Sequence, residues 1–272
     1  MFRNIKSKIL FFIIFLLYAE HSFCQSQNGD IKGTILIGGI ASDGVVIAAD
    51  SRAGITDKSG QVVAYIDSVP KIYIIGAYPV AIAGSYDIGN KIVQRVTQEY
   101  SKNNMAVNQD MKNIFKRLQY YLLSSHIDTM QIFFGGGYFG NKATVIDISS
   151  NHFRTETGGY IFNDTDVTRI LKIYNDKIHT SEELRKIFEK VIYTVARENK
   201  KEDVVGGPIS IVKILKNNKI VWLQNDFSNM RPKNYTALVD LIKAGKRKLT
   251  LMPNHTREEV IGYMESNPKY NH

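Results

Sequence analysis

Six scattered histidines, one cysteine, a triple glycine and a threonine at the head of an apolar run are the features of this 272-residue chain whose residue types offer chemistry. The histidines have no metal-ligand spacing, and no HExxH is present, so no metal site is expected. The single cysteine, Cys24, lies close to the N-terminus. The remainder of the chain therefore holds no disulfide, thiolate metal site or cysteine nucleophile. Gly135-Gly136-Gly137 has the look of a phosphate cradle, but strand residues precede it and no helix start or Lys-Ser/Thr follows; it reads as a flexible strand end. There is no Walker-type loop and no GxSxG nucleophile elbow, and no cofactor is expected.

The stretch from Gly33 to Ala53 is more informative. Gly33-Thr34 opens an apolar run, and sixteen residues after the threonine comes Ala49-Asp50-Ser51-Arg52. Lys71-Ile72-Tyr73 follows, and then Ala83-Gly84 at the end of an apolar segment. In this order the motifs resemble the N-terminal third of proteasome β-type subunits and their bacterial relatives, the N-terminal nucleophile hydrolases. Weaker similarity runs through Phe134 to Asp147 and Gly206-Gly207, covering about residues 34–225.

The resemblance implies a four-layer αββα sandwich of two mainly antiparallel sheets covered by helices. It also implies cleavage between Gly33 and Thr34 to make the threonine N-terminal. A threonine hydroxyl is a poor nucleophile without a base beside it. An N-terminal threonine carries its own base, an α-amine with a reference pKa of about 7.7–8.0. A lysine ammonium nearby would lower that pKa and stabilise negative charge, and a carboxylate would hold the lysine in place. By resemblance these parts are Thr34, Lys71 and Asp50. The Gly84 N–H would donate to the oxyanion, and Ala53 and Ile82 would line an apolar specificity pocket. Aligned on Gly206-Gly207, Glu202 stands at a further acidic position of the family pattern, and Asp203 fits it only with a one-residue shift. Two hydroxyls of the family pattern are replaced. Gly158 stands at one accessory serine position and Val205 at the other.

These residues need a framework. Ile35 to Ala41 and Val45 to Asp50 flank a Ser42-Asp43-Gly44 turn and read as a hairpin. Gln61 to Tyr65, Lys71 to Ile75 and Val80 to Ala83 read as further strands. Ile88, Ile92, Val96 and Tyr100, then Val107, Met111, Ile114, Leu118 and Leu122, give two helical stripes. Strands are expected at Gln131 to Phe134, Ala143 to Ile148 and His152 to Glu156, and helices at Asp166 to Tyr174 and Ser181 to Arg197. Thr180 with Glu183 makes a capping box for the last of these. A final hairpin spans Ile209 to Leu223, and weak helical signals follow at Tyr235 to Lys243 and Arg257 to Glu265. Strand groups alternating with helix pairs imply an α+β domain with mostly antiparallel sheets.

The N-terminus reads as an export signal. Arg3, Lys6 and Lys8 precede the eleven-residue apolar run Ile9 to Ala19, too short for an ordinary span, and Ser22-Phe23-Cys24 offers a cleavage site. Lipidation at Cys24 is the less favoured alternative. The expected organisation is a signal peptide at 1–24, a pro-segment at 25–33, the hydrolase domain at 34–230 and a basic tail at 231–272. Net charge is +9. Residues 1–33 hold four cations and two anions, so the rest carries +7, read as a solvated basic surface rather than a nucleic-acid site. The densest basic cluster is Lys243 to Lys248.

The function expected is a threonine-type peptidase or amidohydrolase, exported to the periplasm or the medium. Its substrates would be peptides or loosely folded proteins. A homo-oligomeric ring is possible by family resemblance, and no ATPase partner is expected outside the cytoplasm. The alternatives are a non-catalytic scaffold of the same fold and a basic binding protein.

Overall fold

The structure, a computed structural model, describes residues 31–32, 34–102, 111–124, 131–139, 141–162, 165–174, 178–198, 205–227, 230 and 232–267. The expected signal peptide, Gly33 and Asp203 lie outside the described residues. In chain order the strands are β1 (Ile31–Lys32), β2 (Leu36–Ala41), β3 (Gly44–Ala49), β4 (Ala53–Thr56), β5 (Val62–Ile66), β6 (Ile72–Ile75) and β7 (Tyr78–Ala83). Helices α1 (Tyr86–Lys102) and α2 (Met111–Ser124) follow, then β8 (Ile132–Phe139), β9 (Lys142–Ile148), β10 (Phe153–Glu156) and β11 (Tyr160–Phe162). After them come α3 (Thr165–Leu171), α4 (Ser181–Glu198), β12 (Ser210–Ile214), β13 (Ile220–Gln224), α5 (Tyr235–Lys243), β14 (Thr250–Leu251) and α6 (Arg257–Glu265).

The class is mixed α/β, and every strand pair among the described residues is antiparallel. Two sheets have five strands, in the orders β11-β2-β3-β12-β13 and β10-β9-β8-β7-β6. A third sheet, β1-β4-β5-β14, adds to the two expected. Its β4–β5 hairpin occupies the long stretch between Asp50 and Lys71. It turns at Asp57, whose carboxylate accepts from the amides of Ser59 and Gln61.

Alternation along the central strands decides what each sheet packs against, because successive side chains point to opposite faces. Val45, Ile47 and Ala49 of β3 pack with Ala81, Ala83, Phe134 and Val145 of the other five-stranded sheet. Val46 and Ala48 between them pack against Leu184, Phe188, Val191 and Val195 of α4. On the second sheet, Val80 and Ile82 alternate with Ala81 and Ala83, and share a cluster with Val93, Val96, Phe115 and Leu118 of α1 and α2. Both faces are apolar, so these strands read in sequence as continuous hydrophobic runs.

The helix ends are fixed locally. Thr180 and Glu183 bond reciprocally, Thr180 N to the Glu183 carboxylate at 2.8 Å and Glu183 N to Thr180 Oγ1 at 3.3 Å. Asp43, in the β2–β3 turn, also accepts from Ser181 N at 2.7 Å, which ties the start of α4 to that hairpin. Asn234 caps α5, and Thr256 with Glu259 forms a capping box on α6.

Two readings change. Gly135-Gly136-Gly137 is not a flexible strand end, since β8 runs through it to Phe139. A side chain at Gly135 would lie 2.1 Å from Phe115 Cζ, so the glycine exists to let α2 lie against the strand. The basic stretch near 243–248 is not wholly a solvated surface. Arg247 is buried and donates to the carbonyls of Ser68 and Met230. The two weak helical signals after residue 230 are α5 and α6. Their Leu238, Val239, Ile242, Val260 and Met264 join the apolar cluster of β4, β5 and β7.

Candidate functional site

Asp50 is the first residue beyond β3, and its side chain enters a fully buried position. Its Oδ1 accepts from Ile35 N at 2.8 Å and from Lys71 Nζ at 3.1 Å. Oδ2 accepts from Lys71 Nζ at 3.2 Å, Gly206 N at 3.1 Å and Arg52 N at 3.2 Å. Three chain segments distant in sequence thus converge on one carboxylate. Ile35 is held from both directions, because Asp50 N also donates to Ile35 O at 3.4 Å. Thr34, its immediate neighbour, is only partly buried and sits at the edge of this interior network.

Lys71 is 3% exposed. Besides the carboxylate, its ammonium donates to Arg52 O at 2.5 Å. Pro70 ends the preceding loop, and Lys71 leads into β6, where its carbonyl accepts from Ile82 N at 2.9 Å. Burial pushes the Asp50 carboxyl above its ordinary pKa, with Lys71 and the amides of Gly206 and Ile35 pulling it back. Burial likewise lowers the Lys71 pKa, opposed by the Asp50 charge. Both shifts follow from removing charge from water, and the pair is held by geometry rather than solvation.

Around the pair lies a stiff shell. Arg52 makes a two-pronged bond to Asp67, Nε to Oδ1 at 2.8 Å and Nη2 to Oδ2 at 3.1 Å, with its guanidinium 3.8 Å from the Tyr65 ring centroid. Ser51 O accepts from Val69 N, and Gly206 O accepts from Ser51 N and Arg52 N. Gly206 and Gly207 have φ of +143° and +67°, where a side chain is strained, and one on Gly207 would collide with the Asp67 carboxylate at 2.7 Å.

The structure brings Asp50 and Lys71 into direct contact and sets both beside the residue that follows Thr34. Gly84 sits just past β7, two residues beyond the Ile82 amide that bonds Lys71 O, with φ of +107°. Ala53 and Ile82 are both buried in one apolar cluster. The sequence offers no sign of the Asp67 and Tyr65 roles, which depend on the β4–β5 hairpin folding back over Arg52. The backbone donors of Ile35 and Gly206 are equally invisible to a reading of side-chain types. The Gly206-Gly207 pair was the one available signal. No group of three or more His, Cys, Asp or Glu residues able to hold a metal occurs among the described residues, and none of their helices is long and apolar enough to cross a membrane.

No protein-family model matches the chain, and no curated protein does. Among solved structures it is similar to a Gly-1 mutant of Anbu from Hyphomicrobium sp. strain MC1. The TM-score is 0.54 and the identity 16%, over 79% of this chain and 96% of that one. These results correct the expected placement among proteasome β-type N-terminal nucleophile hydrolases. The motifs near Thr34 are too short and too dispersed to carry a family assignment, and a likeness at 16% identity reports backbone arrangement alone. The chain has a proteasome-like fold.

Proposed function

We propose that this protein is a hydrolase of amide bonds that uses Thr34 as its nucleophile once the Gly33–Thr34 bond is cut. The observation that carries this reading is the buried Asp50 carboxylate, which bonds at once to the Lys71 ammonium and to the amide of Ile35, the residue after Thr34. A buried ion pair is a costly way to stabilise a fold, and its position beside a chain segment that could become an N-terminus argues for use.

In the proposed cycle the freed Thr34 amine takes the proton from Oγ1, and the oxygen attacks the substrate carbonyl carbon. The Gly84 N–H and the Lys71 charge stabilise the resulting oxyanion. The C–N bond then breaks, the amine departs with the proton, and a threonine ester remains. Water then adds to the ester carbonyl and gives a proton to the Thr34 amine, the bond from the acyl carbon to Oγ1 breaks, the acyl group leaves as the carboxylic acid, and the amine returns the proton to Oγ1. Asp203 is a further proposed member, with Ala53 and Ile82 as the apolar wall selecting the side chain.

The pairing of β1 with β4 supports a precursor that is masked by its own chain. Ile31 faces Ile55 and Lys32 faces Gly54, so residues ahead of Thr34 occupy the β4 edge. Their removal would leave that edge open to an extended peptide, which gains main-chain hydrogen bonds there. The proposal includes export directed by residues 1–24, peptides or loosely folded proteins as substrates, and the helix–sheet–sheet–helix order read as a four-layer sandwich. It also allows assembly into a ring and requires no ATPase.

A second reading, a non-catalytic scaffold, is favoured by one observation. Gly158, where the hydrolase pattern has a serine, is exposed, and a side chain there would meet nothing within 4 Å. Intact mass and N-terminal sequencing of the full chain expressed beside its Thr34→Ala variant decide between the two. A native protein beginning at Thr34 and labelled there by a β-lactone, with the variant uncut and unlabelled, is the expected result. A variant cut at the same bond and still active would refute the proposal. A native chain that stays uncut and unlabelled would leave the scaffold reading.

A further inference from the structure

A cleft of about 560 Å³ lies between α4 and the loop at Val205 to Gly207, on the outer side of the Asp50–Lys71 site. Volumes of roughly 300–1,000 Å³ are usual for small-molecule sites. Lys190, Tyr193 and Arg197 reach it from α4 at spacings of three and four residues, which place them on one helix face. Arg52 closes the far side, and Ala196 and Val205 supply apolar wall. No acidic side chain lines the cleft among the described residues. Lys190 and Arg197 are exposed, and neither makes an ion pair with a carboxylate among the described residues.

Two of the walls are rigid. Tyr193 OH donates to Gly207 O at 2.9 Å, which fixes the ring at the cleft. Arg52 is held by Asp67 and stacked on Tyr65. Lys190 and Arg197 put two like charges on one side of the concavity and raise the local potential, the Arg52 charge being offset by Asp67, and an anion entering the cleft relieves the repulsion between them. The apolar wall and the fixed ring add a surface that a bare inorganic anion would leave unused.

We infer that this cleft is a binding site for a small organic molecule bearing a phosphate-type dianion, with the anion between Lys190, Arg197 and Arg52 and the organic body against Tyr193, Ala196 and Val205. The site is separate from the chemistry proposed for Thr34, and it meets that chemistry through Arg52 and Gly206. Their side chain and backbone line the cleft, and their backbone groups bond Asp50 and Lys71.

The test is calorimetric titration of the full chain with phenyl phosphate and, separately, with inorganic phosphate at fixed ionic strength. It is run on the native sequence and on Thr34→Ala, so that failure of the nucleophile reading leaves it intact. One saturable site for phenyl phosphate is expected in both proteins, several-fold tighter than for inorganic phosphate. The pair Lys190→Ala/Arg197→Ala should weaken phenyl phosphate at least about tenfold, as expected for losing charge-assisted bonds. Lys246→Ala/Lys248→Ala removes the same charge from exposed positions in the basic stretch and should leave the affinity unchanged. Equal loss in the two double variants would show attraction to the basic surface at large and overturn the proposal. So would the absence of saturable binding. Equal affinity for the two phosphates would overturn the organic ligand. All four substituted residues are exposed, and unchanged thermal melts of both double variants check that the comparison is between folded proteins.

Discussion

Lys71→Met removes the ammonium from a carboxylate that has no access to water. Asp50 is fully buried and Lys71 is 3% exposed, so the stranded charge cannot recover its hydration. Breaking one side of a buried pair costs about 3–5 kcal/mol in general. Here Asp50 keeps three backbone donors, from Ile35, Arg52 and Gly206, which places the loss near the lower end, at about 3 kcal/mol. For a chain of this length that corresponds to a fall in Tm of about 6–12 °C. The companion Asp50→Asn/Lys71→Met replaces both charges by neutral groups of similar shape. It should cost less than the two single substitutions together, with a coupling of about 2 kcal/mol or more.

Urea denaturation of the four proteins at neutral pH measures this directly. The pH dependence supplies a second sign. Without Lys71 the Asp50 carboxyl, already raised by burial, rises further. The native state of the variant then takes up a proton before the unfolded chain does, and the stability gap between variant and native narrows as pH falls through that raised value. A loss below about 1 kcal/mol, or strictly additive single effects, would show that the pair is not the buried, coupled unit described and would refute the reasoning.

Other consequences are open to measurement. Burial acts to raise the Asp43 pKa, but its bonds to Lys213 and Ser181 outweigh that and hold it below the ordinary value of 3.8. Its contribution is therefore present above that value and lost as pH falls through the lower, folded-state pKa. Asp43→Asn should flatten the acid limb of the stability curve below about pH 4, and parallel limbs would contradict the link between the hairpin and α4. Gly135→Ala would set a methyl 2.1 Å from Phe115 Cζ and 2.7 Å from the Pro79 carbonyl oxygen. Because one neighbour is backbone, the expected loss is about 3 kcal/mol or more in chemical denaturation, and a neutral result would place α2 further from β8 than found.

Much of the framework was legible because it rests on local physics. The turn at Ser42-Asp43-Gly44, the Thr180–Glu183 capping box and the i, i+4 stripe from Ile88 to Tyr100 each act over a few residues, and each corresponds to an observed element. The short strands were harder. β4 and β11 hold four and three residues, too few for a period to show, and β14 forms only because β5 offers it an edge. Gly135 reads as a flexible strand end because glycine weakens a strand in isolation, whereas the ring of Phe115 fills the space it leaves.

The sequence by itself determined which groups are on offer: a threonine behind a glycine, an aspartate sixteen residues on, a lysine after Pro70, and antiparallel strands to carry them. Only the tertiary structure decided that Asp50 and Lys71 meet, that both are dry, and that the carboxylate also holds the amides of Ile35 and Gly206. It also decided that Arg247 leaves the basic stretch for the interior and that Arg52 faces Lys190 and Arg197 across a cleft. Residue type and spacing fix what a side chain can do over a turn or a strand. Contacts between residues 50, 71 and 206 depend on how separate segments pack, and burial, which sets the strength of every charge in the site, is a property of that packing alone.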